Sequence, residues 1–327
     1  MAETFNHARY GSSMRPLLVR SLDWFTIHYA ALKLPKEIGL QSNLEQAQEI
    51  LMNPHFIQAP EAVVAAPKFD KAGGFTFDSL TDYGPENNRL ANGVFFKAGP
   101  WNKHPAVILV HGYNAEIAYQ GVMREWAAQL KAQGINALMF ELPFHGARRP
   151  VAGEPIRNFF CADLLHVGRA FQQAFYDQQG LIHWLREQGC PSIGLWGNSL
   201  GALISGNLST IEGLVDSIAL LSPVTRLKPA LRDLAFAHTM KRSIGSREFP
   251  LQQLDLPTKE PAIAGENICV VSGKYDLFAP FHSQRELIRA WDCPNHQIHP
   301  EGHISILKNQ SAVTDAIQHF RNVLQGS

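Results

Sequence analysis

A serine between two glycines is the residue best placed to act as a nucleophile in this chain. Gly197-Asn198-Ser199-Leu200-Gly201 follows an apolar run at Ser192–Trp196 and opens a helical segment at Ala202–Thr210. A sharp strand-to-helix turn lifts its serine above a sheet and needs small neighbours, because larger ones would collide with adjacent backbone. The pattern also arises by chance, as a glycine-rich N-cap in which Ser199 only satisfies backbone donors. The strand–turn–helix setting favours the nucleophile.

A serine nucleophile needs a base, and two residues later in the chain fit the base and its partner. Asp276 lies directly beyond an apolar strand, and His303 lies after the last strand candidate and before the last helix. Loops at these positions meet at the sheet edge that carries Ser199. Since the chain has 14 histidines, position is the reason for choosing His303. The nearest competitors are Glu301, interpreted as a loop acid, and His299, interpreted as a strand-end residue.

A second loop near the serine is expected to stabilise negative charge on a substrate. The apolar run Val107–Val110 ends in His111-Gly112. By analogy with enzymes that carry a serine on such a turn, the backbone N–H groups of Tyr113 in this loop and of Leu200 after the serine are expected to form an oxyanion hole. His111 could be mistaken for the base, but a histidine here is expected to brace the loop through hydrogen bonds.

Regularly alternating strands and helices are predicted to position these residues. Strand-length apolar runs occur at Ala106–Val110, Asn136–Leu142, Ser192–Trp196, Ser217–Leu221 and Asn267–Val271. The helical segments between and after them include Ile117–Ala132, Asp163–Gln188 with an interruption at Gly180, and Gln310–Leu324. This alternation predicts an α/β fold, with a mostly parallel sheet, helices on both faces and the active edge at the C-terminal ends of the strands.

Two less regular regions accompany this pattern. Residues 1–89 are predicted to be a helical and irregular extension packed on the main domain, which spans residues 90–327. Residues 22–32 could lie on a membrane surface, but they lack a basic polar face, so packing against the main domain is favoured. Residues 225–266 separate two strands by about forty residues, which is long enough for a small helical cap over Ser199.

Two arginines follow the strand predicted to end at Leu142. Arg148 and Arg149 are candidates for binding a substrate carboxylate or phosphate through paired donors. The alternative is that they tie their loop to a neighbouring acid or to a helix C-terminus.

Composition excludes several other classes of function. The 327 residues include 29 Lys and Arg and 29 Asp and Glu, so no net field attracts nucleic acid or an anionic membrane. No apolar run is long enough for a transmembrane helix, and the N-terminus lacks the apolar core of a secretion signal. No HxxEH or HxH motif predicts a metal site. The four cysteines form no CxxC pair and are interpreted as buried thiols in a reducing, cytoplasmic setting. We expect no metal, no cofactor, no integral membrane association and a small-molecule partner.

Over about residues 90–325 the chain resembles the α/β-hydrolase superfamily. The residues that carry this resemblance are Ser199, Asp276, His303 and the His111-Gly112 loop, which occupy the superfamily's catalytic positions. The segment Phe140–Pro150, with His183–Leu185 and Gly194–Gly201 downstream, is also similar to the abhydrolase domain-containing 18-like branch. Leu142 stands where that branch has an asparagine. The resemblance implies the α/β-hydrolase fold and a serine hydrolase.

The expected reaction is hydrolysis of a carboxylic ester or thioester through an acyl-enzyme. Acyl transfer to another alcohol would use the same residues. A catalytically silent binding module is the rival from a different class, since fold alone does not determine function. Intact Ser199, Asp276 and His303 argue against it, and a dehalogenase or epoxide hydrolase would need a carboxylate at position 199. The sequence leaves the substrate and the oligomeric state open.

Overall fold

Strands and helices alternate through most of the chain in the computed structural model, which describes residues 15–33, 44–114, 116–150, 158–161, 163–233 and 251–326. The strands are β1 (Lys68–Phe69), β2 (Gly74–Asp78), β3 (Leu90–Phe96), β4 (Ala106–Val110), β5 (Asn136–Phe140), β6 (Ile193–Asn198), β7 (Ser217–Leu221), β8 (Ile268–Gly273) and β9 (Asn295–His299). The helices are α1 (Arg15–Lys33), α2 (Leu44–Met52), α3 (Glu116–Gln120), α4 (Val122–Ala132), α5 (Leu164–Glu187), α6 (Leu200–Leu208), α7 (Leu227–Asp233), α8 (Phe281–Ala290) and α9 (Gln310–Gln325).

These strands form one sheet in the order β1-β2-β3-β5-β4-β6-β7-β8-β9. The six strands from β4 to β9 are parallel, while β1, β2 and β3 pair antiparallel at one edge. Val110 pairs with both Phe140 and Gly197, so the C-terminal ends of β4, β5 and β6 lie side by side. The loops that leave these ends therefore converge on one edge of the sheet.

Helices cover both faces of the sheet, because side chains alternate between the two faces along each strand. On β4, Ala106, Ile108 and Val110 join a core that includes α2, α5, α6 and α8. Val107 and Leu109 join a second core with α4 and α9. All five side chains are fully buried. This burial on both faces confirms the predicted α/β architecture with its mostly parallel sheet.

Two predicted helices differ from the structure at a glycine. The interruption predicted at Gly180 is wrong, since α5 is continuous. A Cβ at position 180 would lie 2.1 Å from Cδ1 of Leu80, so this glycine permits close packing rather than a break. In contrast, the single helix predicted over 117–132 is divided into α3 and α4. Gly121 lies between them, at φ −107° and ψ −101°.

The domain boundary predicted at residue 90 is wrong, because it would divide the sheet. β1 and β2 precede it, and β2 pairs with β3 through contacts such as Phe75 with Gly93. Phe75 and Phe77 are buried in the core that β4 also joins. Leu51 of α2 belongs to the same core. Residues 44–89 are therefore part of the main domain rather than an addition to it.

Helix α1 exposes much of its surface, and the predicted cap is described only in part. No helix in the described ranges is long and apolar enough to cross a membrane. Helix α1 buries a stripe made of Val19, Asp23 and Ile27 and exposes Trp24 and Phe25. Of the predicted cap, residues 234–250 lie outside the described residues, and α7 occupies part of its described beginning.

Candidate active site

Ser199 lies at the turn between β6 and α6. Its backbone has φ 55° and ψ −112°, a conformation that residues with a side chain rarely adopt. A Cβ at Gly197 would lie 2.4 Å from the carbonyl oxygen of Gly201, and a Cβ at Gly201 would lie 2.1 Å from that of Val110. Both flanking glycines are thus required sterically, as the pattern predicted. The Ser199 N–H is held by the carbonyl of Leu221 at 3.0 Å.

The structure brings the side chains of Ser199, His303 and Asp276 together. The Oγ of Ser199 is 2.8 Å from Nε2 of His303, and Nδ1 of His303 is 2.8 Å from Oδ2 of Asp276. Because a carboxylate only accepts hydrogen bonds, Nδ1 carries the imidazole proton and Nε2 accepts from the serine hydroxyl. Asp276 follows β8 and His303 follows β9, at the loop positions expected from the sequence. This geometry allows proton transfer from Ser199 to His303.

The Asp276 carboxylate is held from several sides. Its Oδ1 accepts from the N–H groups of Phe278 and Ala279, each at 2.8 Å. Its Oδ2 accepts from His303 and, at 3.3 Å, from Nε2 of Gln284, which also donates to the carbonyl of Ala279 at 2.6 Å. The Asp276 side chain has no exposed surface. The carboxylate cannot rotate without losing hydrogen bonds, so His303 is held in one orientation.

The surroundings of His303 favour its charged form. Burial opposes the imidazolium, but the Asp276 carboxylate and its hydrogen bond, with a further contribution from the Asp23 carboxylate, raise the pKa of His303 above 6.5. The ring of Phe278 stacks on the imidazole, with the centroids 4.6 Å apart. A His303 that received the serine proton would be stabilised by charge and restrained by this ring.

The loop after β4 lies directly against Ser199. A Cβ at Gly112 would lie 3.1 Å from Cβ of Ser199, so this glycine allows the approach. The buried ring of His111 donates from Nδ1 to the carbonyl of Gly112 at 2.7 Å and accepts at Nε2 from the N–H of Leu142 at 3.0 Å. These bonds join the loops after β4 and β5, which agrees with the bracing role expected for His111.

The two backbone N–H groups predicted to form an oxyanion hole come from the two segments that meet at Ser199. Tyr113 follows Gly112 in the loop after β4, and Leu200 is the first residue of α6. The positive end of the α6 dipole lies at Ser199, where it favours negative charge.

Arg148 is a structural residue, which corrects the prediction that it binds substrate. Its side chain has no exposed surface, and its Nη2 is 2.8 Å from Oδ2 of Asp177, which is equally buried. Its guanidinium also donates to the carbonyl oxygens of Asn88 and Glu141. Burial lowers the pKa of Arg148, and the Asp177 carboxylate opposes this by favouring the charge. The alternative interpretation applies, because Arg148 ties its loop to an acid on α5.

Arg149 remains at the surface near the site. Its Nη2 donates to Oδ1 of Asn114 at 2.9 Å. Asn114 follows Tyr113 and has a φ of 50°. Arg149 is therefore connected to the loop beside Ser199, and it remains a candidate for contact with an anionic part of a substrate.

The two competitors of Asp276 and His303 have other partners. Glu301 pairs with Arg15 of α1. Burial tends to raise the pKa of Glu301, but hydrogen bonds, first among them that from Ser305, outweigh it and lower the pKa. His299 ends β9, as interpreted, and its Nε2 is 2.9 Å from Oδ2 of Asp315.

Three residues that support the site were not identified from the sequence: Asp23, Phe278 and Gln284. Asp23 had a signal, because it is the one Asp, Glu, Lys or Arg between Arg20 and Lys33. A lone acid on an otherwise apolar helical stretch is buried only where hydrogen-bond or charge partners satisfy it, so its presence indicates that such partners exist elsewhere in the fold. Phe278 and Gln284 follow Asp276 closely in the chain, but nothing in their spacing indicates a contact with it.

Within the described residues, no group of three or more His, Cys, Asp or Glu side chains could hold a metal ion. The four cysteines are buried free thiols, as the sequence indicated: Cys161, Cys190, Cys269 and Cys293.

The match to a known family agrees with this geometry. Residues 107–313 match the alpha/beta hydrolase family, a segment that runs from β4 into α9 and contains Ser199, Asp276 and His303. The chain belongs to the alpha/beta hydrolase family. A comparison with curated proteins finds no match. The nine-stranded sheet of this alpha/beta hydrolase is the fold that the resemblance implied.

Solved structures share the fold of this alpha/beta hydrolase at low sequence identity. An acylaminoacyl peptidase from Pyrococcus horikoshii superposes with a TM-score of 0.55 at 13% identity, over 81% of this chain and 42% of the peptidase. The chain thus spans less than half of that protein. The alpha/beta hydrolase GrgF from a Penicillium species gives a TM-score of 0.51 at 14% identity, over 80% of this chain and 98% of its own. A cold-adapted esterase from an Arctic intertidal metagenomic library gives 0.50 at 16% identity, over 79% and 97%.

Proposed function

We propose that this alpha/beta hydrolase is a serine hydrolase that cleaves a carboxylic ester or thioester through an acyl-enzyme. The supporting observation is the hydrogen-bonded series of Ser199, His303 and Asp276, with 2.8 Å at each contact. Binding without catalysis does not require a strained serine beside a buried histidine–carboxylate pair. The series is therefore best explained as a nucleophile with its base and the partner of that base.

The steps follow from these positions. His303 Nε2 takes the hydroxyl proton as Oγ of Ser199 bonds to the substrate carbonyl carbon. The N–H groups of Tyr113 and Leu200 are proposed to stabilise the oxyanion that forms. The oxyanion collapses, the bond to the alcohol or thiol breaks, and this group leaves with the proton from His303. A water molecule then gives a proton to His303 and attacks the acyl carbon. The bond between this carbon and Oγ breaks, the acid leaves, and His303 returns the proton to Oγ of Ser199.

An ester or thioester suits this chemistry, and two of the structural neighbours that share the fold are named esterases. Acyl transfer differs only in the last step, where an alcohol replaces water. Arg149, at the surface beside Asn114, is proposed to contact an anionic part of the substrate. The likeness of Phe140–Pro150 to the abhydrolase domain-containing 18-like branch stays a proposal and adds no established substrate. No cofactor is needed by these steps.

The test is covalent labelling by a fluorophosphonate, followed by turnover of p-nitrophenyl esters of increasing acyl length. The wild-type protein should be labelled, and Ser199→Ala should not. Ser205→Ala is the control, because it removes a serine hydroxyl from α6, the helix that Ser199 precedes. Equal labelling of Ser199→Ala and wild type would refute the proposal. Adding an alcohol and analysing whether a new ester or the free acid forms separates transfer from hydrolysis.

A further inference from the structure

Helix α1 brings a carboxylate to the two loops that carry Asp276 and His303. Asp23 is fully buried, and its Oδ2 accepts from the backbone N–H of His303 at 2.7 Å and of Leu277 at 3.1 Å. Its Oδ1 accepts from the N–H of Ile304 at 3.1 Å. One side chain from the N-terminal region therefore binds the backbone of both loops of the proposed base and its partner.

The surrounding residues leave space for this carboxylate. Asp23 lies between Val19 and Ile27 on the buried stripe of α1, at four-residue spacing. A Cβ at Gly302 would lie 2.7 Å from Oδ2 and 2.9 Å from Cγ of Asp23. Glycine before His303 is thus explained by the Asp23 side chain, which fills the space that a Cβ would need.

An acid at this position is not needed to dock the helix. Burial raises the pKa of Asp23, against the hydrogen bonds from His303 and Ile304. Replacing buried ionic groups by well-packed apolar residues is often neutral or stabilising, and the neighbours Val19 and Ile27 on this stripe are already buried apolar residues. The feature to be explained is a charge held next to the backbone of His303.

We propose that Asp23 is a positioning residue for His303, which fixes the loops of Asp276 and His303 relative to each other and favours the imidazolium that forms when Ser199 loses its proton. This inference rests on the proposed function. Asp23 contacts neither Ser199 nor the imidazole ring in the hydrogen bonds of the structure, so it acts through the backbone and through its charge.

The charged groups around His303 determine the sign of the expected pH effect. Asp276 faces it from the loop after β8, and Asp23 faces it from α1. Glu301 precedes it by two residues and is paired with Arg15. Removing the Asp23 charge removes one of the two carboxylates that favour the imidazolium, so the pKa of His303 falls. Since the neutral imidazole is the active base, the acid limb of kcat/KM should move to lower pH.

The experiment compares Asp23→Asn, Asp23→Glu and Ile27→Ala in the full chain, with kcat and KM measured against pH on one ester. In Asp23→Asn we expect kcat to fall about tenfold to a hundredfold, KM to change little, and the acid limb to move down by about half a unit or more. Asp23→Glu keeps the charge, so the midpoint of the acid limb of kcat/KM should lie closer to its wild-type pH than in Asp23→Asn. Ile27→Ala loosens α1 without removing charge, so it should lower Tm and leave the limb in place. A limb that does not move in Asp23→Asn overturns the proposal, even when kcat falls.

A second variant carries the test if Asp23→Asn does not fold. Gly302→Ala displaces the Asp23 carboxylate by a collision at its Oδ2, without a change of charge. We expect a lower kcat and an acid limb at lower pH, and wild-type values for both would overturn the proposal. Fluorophosphonate labelling of the wild type separates this inference from the proposed function. An unlabelled wild type refutes the proposed function, whereas a labelled wild type with unaltered Asp23 and Gly302 variants refutes only the inference.

Discussion

Replacing Asp276 by asparagine should leave the fold intact and reverse the tautomer of His303. Two N–H donors at 2.8 Å, from Phe278 and Ala279, require an acceptor at the Oδ1 position. The asparagine oxygen must therefore occupy that position, which turns its NH2 group toward His303. The imidazole then accepts at Nδ1 and carries its proton on Nε2, where it cannot take the proton of Ser199.

The size of the effect follows from the cost of the opposite orientation. Rotating the asparagine would restore the active tautomer but leave two buried N–H donors without an acceptor, at about 1–3 kcal/mol for each. Loss of the carboxylate charge also lowers the pKa of His303 by about one to three units. Together these effects predict a fall in kcat/KM of about 10³- to 10⁵-fold, in keeping with the known behaviour of such triads.

The assay is kcat/KM on the best p-nitrophenyl ester, with Tm as the test of folding. Glu301→Gln is the control, because Glu301 is a carboxylate of the same loop as His303 but pairs with Arg15. Asp276→Asn should keep Tm within a few degrees of wild type while activity is lost. Activity of Asp276→Asn within tenfold of wild type, or an equal loss in Glu301→Gln, would show that Asp276 is not the partner of the base.

Four further outcomes are expected. Ser199→Ala should fold with a Tm close to that of wild type but lose ester hydrolysis, which thermal unfolding and turnover assays together would check. In the wild type, kcat/KM should rise with pH through a midpoint above 6.5, because the pKa of His303 is raised, and EDTA should leave this pH profile unchanged. His303→Gln should abolish turnover. His111→Gln should weaken turnover but keep the rise of kcat/KM with pH. Arg148→Ala should lower the free energy of unfolding by about 3–5 kcal/mol in denaturant titrations, since it strands a buried carboxylate. Arg149→Ala should change that free energy by less than about 0.5 kcal/mol and raise KM only for anionic substrates.

The central parallel strands could be predicted because their burial is visible in local sequence. β4 and β7 are buried at every position, and both begin and end at the predicted residues. The edge strand β1 could not be predicted, since Lys68 and Phe69 are both exposed and their pairing partners lie in β2. A two-residue antiparallel strand has no periodicity to detect.

The position of Ser199 was predictable for a local steric reason, and the environment of Arg148 was not. Gly197 and Gly201 are required by backbone atoms close to them in the chain or in the neighbouring strand, so the constraint leaves a short pattern. Arg148 shows its charge in the sequence, but its burial depends on a carboxylate 29 residues later in the chain and on the distant carbonyl of Asn88. An arginine in the sequence favours neither substrate binding nor a structural ion pair, and the two roles are distinguished only once the loop is packed in the folded chain.

Asp23 marks the limit of this kind of prediction and changes how the N-terminal region is understood. Its hydrogen-bond partners are backbone N–H groups 254 to 281 residues later, and a backbone donor has no identity in the sequence. Side-chain patterns around His303 therefore could not indicate it. A boundary at residue 90 would remove this carboxylate together with β1 and β2. Helix α1 binds the loops of the candidate active site through Asp23, so this helix cannot be treated as separate from the loop that carries His303.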